Sequence, residues 1–302
     1  MAKIGFVGLG HMGLPMAINL VKAGHMVTGF DINANALESF RAAGGKIASE
    51  LAMIASDQEI IITMLQTGTQ IREVYLGEHG LFHQVDKNTL YIDCSSIDVQ
   101  TSRIIHQKAS QLHVLAVDAP VSGGVAGASQ ATLTFMVGGS EDAFLKAEKL
   151  LAFLGKKIIH TGPGGSGQAA KICNNMILGI SMIAISEAFT LAEYLGLTPQ
   201  KLFEVVTHSS GQCWAMSHYA PVPGLLDNVP ANHNYQPGFT GAMMLKDLCL
   251  SQQSAQDVGL NTQLGSEATK LYQQFIDKGL GHLDFSAIIK MIPTPSTDSS
   301  PG

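Results

Sequence analysis

Short runs of β-branched and aliphatic residues alternate with segments of helical apolar spacing through the first half of the chain. The strand-like runs cover 3–7, 26–30, 59–64, 90–93, 114–118 and 132–137. Such alternation is typical of parallel strands joined by crossover helices. The first half is therefore predicted to be an α/β domain built on a doubly wound parallel sheet.

Beyond Gly164 the strand-like runs end and apolar residues recur every three to four positions. This spacing predicts helices at 168–195, 198–209, 242–257 and 261–278, and hence an all-α second domain. The glycine- and proline-rich run at 162–167 marks the change of pattern and predicts a hinge before a long interdomain helix. The predicted divisions are 1–163, 164–292 and a disordered tail at 293–302, which has little to bury.

Composition and charge narrow the possible partners. The 302 residues are enough for two domains, and only 14% are charged while 46% are hydrophobic. Typical soluble proteins carry about 25% charged residues, so we expect an apolar interface and a homodimer or homotetramer. The net charge of −6, without a basic run, argues against nucleic acid or an anionic membrane as a partner.

The cysteines and the chain start bear on the compartment. Cys94, Cys173, Cys213 and Cys249 show neither a CxxC pair nor zinc-ligand spacing, which favours a reducing compartment and no metal. The chain begins directly in a strand-like run, without a signal-peptide pattern, and the apolar stretch at 176–185 is too short to span a bilayer. We therefore expect a cytoplasmic protein without a transmembrane segment, and the alternative is a mature mitochondrial form.

A glycine motif connects the first strand to the first helix. Gly8, Gly10 and Gly13 form a GxGxxG pattern, with His11 and Met12 between the last two glycines. In this context the pattern predicts a Rossmann-type dinucleotide site, with the diphosphate at the helix N-terminus. The alternative is an ordinary glycine-rich turn.

Asp31 directly follows the second predicted strand. A carboxylate at this place can accept both hydroxyls of the adenosine ribose and would repel a 2′-phosphate, which favours NAD over NADP. Asp31 can instead be the N-cap of the next helix, and the cofactor preference would then stay open.

The predicted interdomain helix carries a candidate acid–base group. Steps of three and four residues place Gln168, Lys171 and Asn175 on one helical face, toward a cleft between the domains. Dehydrogenation of an alcohol needs a group that moves the hydroxyl proton, and a partly desolvated lysine can do so. Asn175 would hold the substrate hydroxyl or orient the lysine. The alternative is an exposed lysine near a helix start.

A glycine-containing loop follows the strand-like run that ends at Asp118. In the segment 118–127, backbone amides of Ser122, Gly123 and Gly124 can converge on a carboxylate, as they do in anion-binding nests. An acid substrate would suit this loop. The alternative is an ordinary turn before the next strand.

Taken together, these motifs resemble the 3-hydroxyisobutyrate dehydrogenase family of β-hydroxyacid dehydrogenases, from residue 4 to about residue 292. The matching stretches are 5–13, 118–124, 165–175, 238–239 and 246–248. The resemblance implies that Lys171 is catalytic, that Ser122, Gly123, Gly124 and Asn175 hold the substrate, and that Lys246 reaches the active site. It further assigns to the cofactor the loop residues Gly8, Gly10, His11, Met12, Gly13, Asp31, Leu65, Gln66 and Ser96, together with Lys246.

Three positions depart from the family pattern. Gln66 stands where proline is common, Ser96 where threonine is usual, and Ala131 where glycine often occurs. Gln66 removes a rigid element and Ser96 keeps the hydroxyl, so we expect changed cofactor affinity with unchanged chemistry.

The segment 211–224 resembles the 3-hydroxyisobutyrate branch more than the tartronate semialdehyde reductases. Trp214 would give a methyl-bearing substrate an apolar wall, or it is only core packing. The expected reaction is NAD-linked oxidation of 3-hydroxyisobutyrate to methylmalonate semialdehyde, the step of valine breakdown that the resemblance implies. The alternatives are reduction of tartronate or succinate semialdehyde, and a non-catalytic dinucleotide-sensing module.

Overall fold

The computed structural model describes residues 1–83 and 86–293, so the predicted tail at 293–302 lies outside the described residues except for Pro293. The chain forms two compact units, Met1–Lys171 and a second that begins at Ile172. These compact units divide inside one long helix, Ser166–Tyr194, and the predicted 163/164 boundary lies just before that helix. The reason is local, because the first turn of this helix is hydrogen-bonded to the first unit.

Within the described residues, nine strands of the first unit form one sheet. Their bounds are β1 Lys3–Val7, β2 Met26–Phe30, β3 Lys46–Ile47, β4 Ile60–Thr63, β5 Leu90–Asp93, β6 Leu115–Asp118, β7 Val121–Ser122, β8 Leu133–Gly139 and β9 Gly155–Gly162. The order β3-β2-β1-β4-β5-β6, parallel throughout, is that of a doubly wound dinucleotide-binding sheet. The predicted fold class is confirmed for this half.

Helices cover both faces of the sheet. They are α1 Gly13–Lys22, α2 Ala34–Ala42, α3 Ala52–Ala55, α4 Gly68–Leu76, α5 Val99–Gln111, α6 Gly124–Gln130 and α7 Glu141–Leu151. Alternate strand residues enter two separate cores: Ile60 and Ile62 of β4 belong to one, and Ile61 to the other. Burial on both faces explains the nearly continuous apolar strands in the sequence.

The last three strands depart from the parallel pattern. β8 runs antiparallel to β6 and β7, and β9 then pairs parallel with β8. β7 has two residues, too few for a periodic signal, and β9 has exposed lysines on an edge strand. Of these strands the sequence pattern predicted only β8.

The second unit is helical, as predicted. It contains most of α8 Ser166–Tyr194, then α9 Pro199–Thr207, α10 Trp214–Tyr219, α11 Gly241–Asp257 and α12 Gln263–Asp277, and it ends in a 3-10 helix, Phe285–Met291. By length and composition alone α8 is apolar enough to cross a membrane, but half of its most apolar window is buried in the protein. Met182, Ile185 and Phe189 pack in the core of the second unit, which is the behaviour of a core helix.

Candidate active site

The glycine loop between β1 and α1 brings most of the predicted cofactor residues together. Gly8 has a φ of +96°, and a Cβ on it would lie 2.3 Å from the Met64 carbonyl oxygen and 2.9 Å from Leu65. A Cβ on Gly13 would lie 1.9 Å from the Gly8 carbonyl oxygen. Both glycines are therefore required by packing of the loop against β4 and against itself.

Gly10 is different, because a Cβ on it would meet no atom within 4 Å. Packing within the protein therefore does not explain this glycine. Met12 is the N-cap residue of α1, no side chain caps this helix, and its first turn contains no acidic residue. The open side of Gly10 beside an uncapped helix N-terminus fits a dinucleotide diphosphate, as the motif predicts.

Asp31 is joined to the same loop. One carboxylate oxygen accepts from the Leu9 amide at 2.6 Å and the other from the Asn33 amide at 2.7 Å. The N-cap of α2 is Asn33, whose side chain accepts from the Asn35 amide. The alternative in which Asp31 caps α2 therefore does not hold, and its carboxylate is fixed at the carboxyl end of β2.

The segments after β4 and β5 lie beside this loop. The Leu65 amide donates to the Ser95 hydroxyl at 2.8 Å, which joins the two segments. The Gln66 amide donates to the Gln70 side chain at the start of α4. Ser96 follows Ser95, so the predicted cofactor residues gather at the carboxyl edge of the sheet, where ligands of such folds bind.

The start of α8 is held by the side chains of Asp118, to which the sequence analysis assigned no role, and Gln168, which it placed toward a cleft. The Asp118 carboxylate, 1% exposed, accepts from the Gly165 amide at 2.7 Å and the Gln168 amide at 2.8 Å. The Gln168 side chain donates to the Ser95 carbonyl oxygen at 2.7 Å and accepts from the Ile97 amide at 3.1 Å. Gln168 therefore supports the site rather than facing a substrate.

The predicted hinge at 162–167 is consequently a tightly packed segment. A Cβ on Gly164 would lie 2.3 Å from the His106 ring, and one on Gly167 would lie 2.3 Å from the Met136 carbonyl oxygen. These glycines allow close packing at the start of α8. The local composition correctly indicated a break in regular secondary structure. It did not reveal that distant side chains hold this segment in place.

Lys171 lies in the second turn of α8 and is only 8% exposed. The alternative of an ordinary exposed lysine is therefore wrong.

Ser122 ends β7 and pairs with Thr134 of β8. Thr134 lies two residues before Met136, whose carbonyl oxygen lies close to Gly167. Gly123 and Gly124 follow with positive φ, at the start of α6.

The remaining predicted residues, Asn175, Trp214 and Lys246, belong to the second unit. Asn175, 2% exposed, donates from Nδ2 to the Asp247 carboxylate, and its Oδ1 accepts from the Asn174 side chain at 2.9 Å. Asp247 lies in the 246–248 motif, but the sequence analysis assigned no role to it. The motif contained Asp247, but nothing in the sequence indicated that this residue contacts Asn175.

Trp214 opens α10 and is 53% exposed. Its ring stacks on Tyr219 at 5.4 Å between centroids, and Tyr219 stacks on Phe285 at 5.3 Å. The Tyr219 hydroxyl donates to the buried carboxylate of Asp284 at 2.9 Å. The alternative in which Trp214 is only core packing does not hold, since half of it is exposed on a fixed aromatic support.

Asp93, at the end of β5, is another buried carboxyl group and lies near Asp118. It accepts from the Thr63 hydroxyl at 2.8 Å and the Ser95 amide at 3.1 Å. Burial and, to a smaller extent, the neighbouring Asp118 raise the pKa of Asp93 to about 6, against the hydrogen bonds from Ser95 and Thr63 that lower it. Asp93 therefore changes its charge near neutral pH.

Two family models match the chain, one in each half. A family model described as the NAD binding domain of 6-phosphogluconate dehydrogenase matches residues 3–162. Residues 165–292 match a model described as NAD-binding of NADP-dependent 3-hydroxyisobutyrate dehydrogenase. Together the two models span nearly all of the described chain.

Named relatives agree with these models over almost their full length. The human mitochondrial 3-hydroxyisobutyrate dehydrogenase is 43% identical, over 97% of this chain and 88% of the relative. A probable 3-hydroxyisobutyrate dehydrogenase of Mycobacterium bovis is 45% identical, over 96% of this chain and 97% of the relative. The solved structure of the Mycobacterium tuberculosis 3-hydroxyisobutyrate dehydrogenase with L-serine is 44% identical, with a TM-score of 0.92, and covers 96% of this chain and 99% of that one.

Substitutions at two glycines test the cofactor loop. Gly10→Ala adds a methyl group into open space, so its free energy of unfolding should stay within about 0.5 kcal/mol of the wild type. Its affinity for NADH, measured by fluorescence titration, should fall about tenfold or more, because the methyl group occupies the place of the diphosphate.

Gly13→Ala is the matched comparison. Its methyl group meets the Gly8 carbonyl oxygen, so it should lower the free energy of unfolding by ~2 kcal/mol or more in denaturant titration. Unchanged NADH affinity in Gly10→Ala would contradict this location of the diphosphate.

Asp93→Asn tests the buried carboxyl group. Because the folded-state pKa of about 6 lies above the ordinary value of 3.8, the carboxyl group favours folding most at low pH, and this contribution is lost as the pH rises through about 6. An asparagine avoids that loss. Measured by denaturant titration, the stability of the variant relative to the wild type should therefore rise by ~2 kcal/mol between pH 4 and pH 8.

The control is Asp57→Asn, whose exposed side chain pairs with Lys3 at the surface. Its stability difference from the wild type should vary much less with pH. A difference for Asp93→Asn that is constant over this pH range would refute the assignment.

Proposed function

The chain belongs to the 3-hydroxyisobutyrate dehydrogenase family and is an NAD-dependent oxidoreductase, and from this we propose that it oxidises 3-hydroxyisobutyrate to methylmalonate semialdehyde in valine breakdown. The observation that carries the proposed mechanism is the burial of Lys171 on α8. The first turn of this helix is fixed to the end of β6 and to the segment after β5. A lysine held in this way can act at one defined point of a substrate.

In the proposed reaction, Lys171 removes the proton from the substrate hydroxyl as the carbon–oxygen bond becomes a carbonyl. The loop with Gly8, Gly10 and Gly13 would hold NAD, and the bound cofactor would supply the acceptor for the hydride from the same carbon. In the reverse direction Lys171 returns the proton to the carbonyl oxygen. Its Nζ is therefore the general base for oxidation and the general acid for reduction.

The substrate carboxylate is assigned to Ser122, Gly123 and Gly124. The Ser122 hydroxyl can donate a hydrogen bond, and the two glycines have φ values of +132° and +60°, conformations that side chains rarely adopt. A loop of this kind can direct backbone amides at an anion. An acid substrate is thus the class that this loop suits.

The second unit supplies three further groups in this proposal. Asn175 uses one of its amide hydrogens for Asp247 and keeps the other for the substrate hydroxyl. Trp214 gives the methyl group of the substrate an apolar face. Lys246, half-buried on α11, is assigned to the cofactor.

We propose that the cofactor is NAD rather than NADP. The Asp31 carboxylate is held by the Leu9 and Asn33 amides at the end of β2, where it can accept from the ribose hydroxyls. A 2′-phosphate there would meet a like charge. NADP in place of NAD should therefore lower kcat/KM by about 100-fold in initial-rate assays, a value set by repulsion of ~2–3 kcal/mol.

The reaction is tested by initial rates of NADH formation on (S)-3-hydroxyisobutyrate, D-glycerate, 4-hydroxybutyrate and L-serine. The first should have the highest kcat/KM, because its methyl group faces Trp214. Preference for glycerate or 4-hydroxybutyrate would instead identify a tartronate or succinate semialdehyde reductase. Preference for L-serine, present in the mycobacterial structure, would show that an amino group is favoured over the methyl group.

Lys171→Ala separates an enzyme from a dinucleotide-sensing module. It should lower kcat by about 1,000-fold while NADH affinity is kept, because the proton has no acceptor. Lys270→Ala, which removes an exposed lysine paired with Glu267, is the control and should keep full activity. Absence of turnover on all four substrates by the wild type would favour the sensing module.

We further propose that the protein is a homodimer or homotetramer. The second unit exposes large apolar side chains on α8 and directly after it. Ile177 and Leu191 lie on turns of α8 that share a helical face, and Leu195 follows the last residue of the helix. Sedimentation velocity should show the wild type as an oligomer, and Leu191→Glu should shift it toward the monomer. A wild-type monomer at micromolar concentration would refute this.

The proposed compartment is the cytoplasm, which suits four cysteines that are free of disulfides in the described chain. The human relative is named mitochondrial. Cell fractionation with detection of the protein distinguishes the two locations, and recovery in an organelle fraction would contradict the cytoplasmic assignment.

A further inference from the structure

His106 lies on α5, a helix that contains none of the residues assigned to substrate or cofactor. Its Nε2 is 2.9 Å from the Asp118 carboxylate, and the two side chains are 18% and 2% exposed. Because a carboxylate only accepts, the ring nitrogen donates this hydrogen bond. The pair is therefore a directed, largely buried contact between α5 and the end of β6.

Asp118 transmits this contact to α8. The carboxylate oxygen that receives the His106 hydrogen bond also accepts from the Gly165 amide, and the other oxygen accepts from the Gln168 amide. Amides at a helix start lack partners within the helix, and a carboxylate that binds them fixes where the helix begins. Any rotation of the Asp118 carboxylate therefore displaces the first turn of α8.

The backbone lies close to both members of this pair. A Cβ on Gly164 would lie 2.3 Å from the His106 ring, and one on Gly138 would lie 2.5 Å from the Asp118 carboxylate. The imidazole thus lies between the backbone at Gly164 and the Asp118 carboxylate.

We propose that His106 is a positioning residue for the reaction, which acts through Asp118 and the first turn of α8 on Lys171. This inference rests on the proposed role of Lys171. Lys171 follows Gln168 by three residues on the same helix, so a shift of the first turn carries its Nζ with it. Misplacement of a reacting group by about 1 Å can lower a rate by up to 100-fold.

Two substitutions of similar size distinguish the effect of the hydrogen bond to Asp118 from the effect of filling the space of the imidazole. His106→Gln can place an amide nitrogen where Nε2 stands and keep the donor. His106→Asn has a shorter side chain, whose amide nitrogen corresponds to Nδ1 and cannot reach Asp118. His113→Asn is the control, because His113 is exposed just after α5 and its left-handed φ of +58° suits asparagine.

We expect His106→Asn to lower kcat about tenfold with KM for the hydroxyacid within about twofold, and His106→Gln to recover most of the loss. Hydrogen–deuterium exchange should become faster in His106→Asn at the amides of 165–171, with the rest of the first unit unchanged. His113→Asn should behave as the wild type in both measurements.

The exchange measurement does not depend on turnover, so it separates this inference from the proposed function. A wild type without activity would refute the function, while faster exchange confined to 165–171 would still support the contact. Wild-type exchange and kcat in His106→Asn would overturn the inference. Faster exchange throughout the first unit would also overturn it, because it would indicate general destabilisation.

Discussion

The buried carboxylate of Asp118 connects the end of β6 with α5 and with the start of α8. It accepts from the amide of Gly165, just before the long helix, from the Gln168 amide in its first turn and from the ring of His106, and it lies beside Gly138. The helix that carries Lys171 therefore begins at a place set by the sheet of the first unit. This explains why the compact units divide after Lys171, since the start of α8 belongs structurally to the sheet.

Much of the fold was predictable from periodicity. The bounds of β1, β2 and β5 agree with the sequence pattern, and the long helix was predicted within two residues at its start and one at its end. The bounds of β7 were not predictable, because two residues carry no period. Periodicity thus predicts elements long enough to repeat, and it misses those held by pairing alone.

The arrangement of the site was predictable only where the residues in contact belong to one local motif. Gly8 and Gly13 touch within one loop, so the GxGxxG spacing carried their arrangement. The partner of Asn175 is Asp247, and that of Gln168 is the segment after β5. These contacts join positions that are distant in the chain, and no local pattern relates them. The glycine run before α8 was interpreted as a hinge because the side chains that hold it, such as His106 and Asp118, are also distant in the chain.

Three of the four buried aspartates of the described chain share one arrangement. Asp93, Asp118 and Asp284 stand at the end or beginning of an element, and backbone amides donate to each of them. Asp247 differs, because it lies within α11 and accepts from the Asn175 side chain. Four ion pairs of lysine or arginine, those of Lys3, Arg41, Lys201 and Lys270, lie at the surface instead. Backbone donors have fixed directions, whereas a lysine chain is flexible. A carboxylate bound by such donors therefore fixes the course of the backbone at that turn, and at Asp118 that turn determines where α8 begins and so where Lys171 lies.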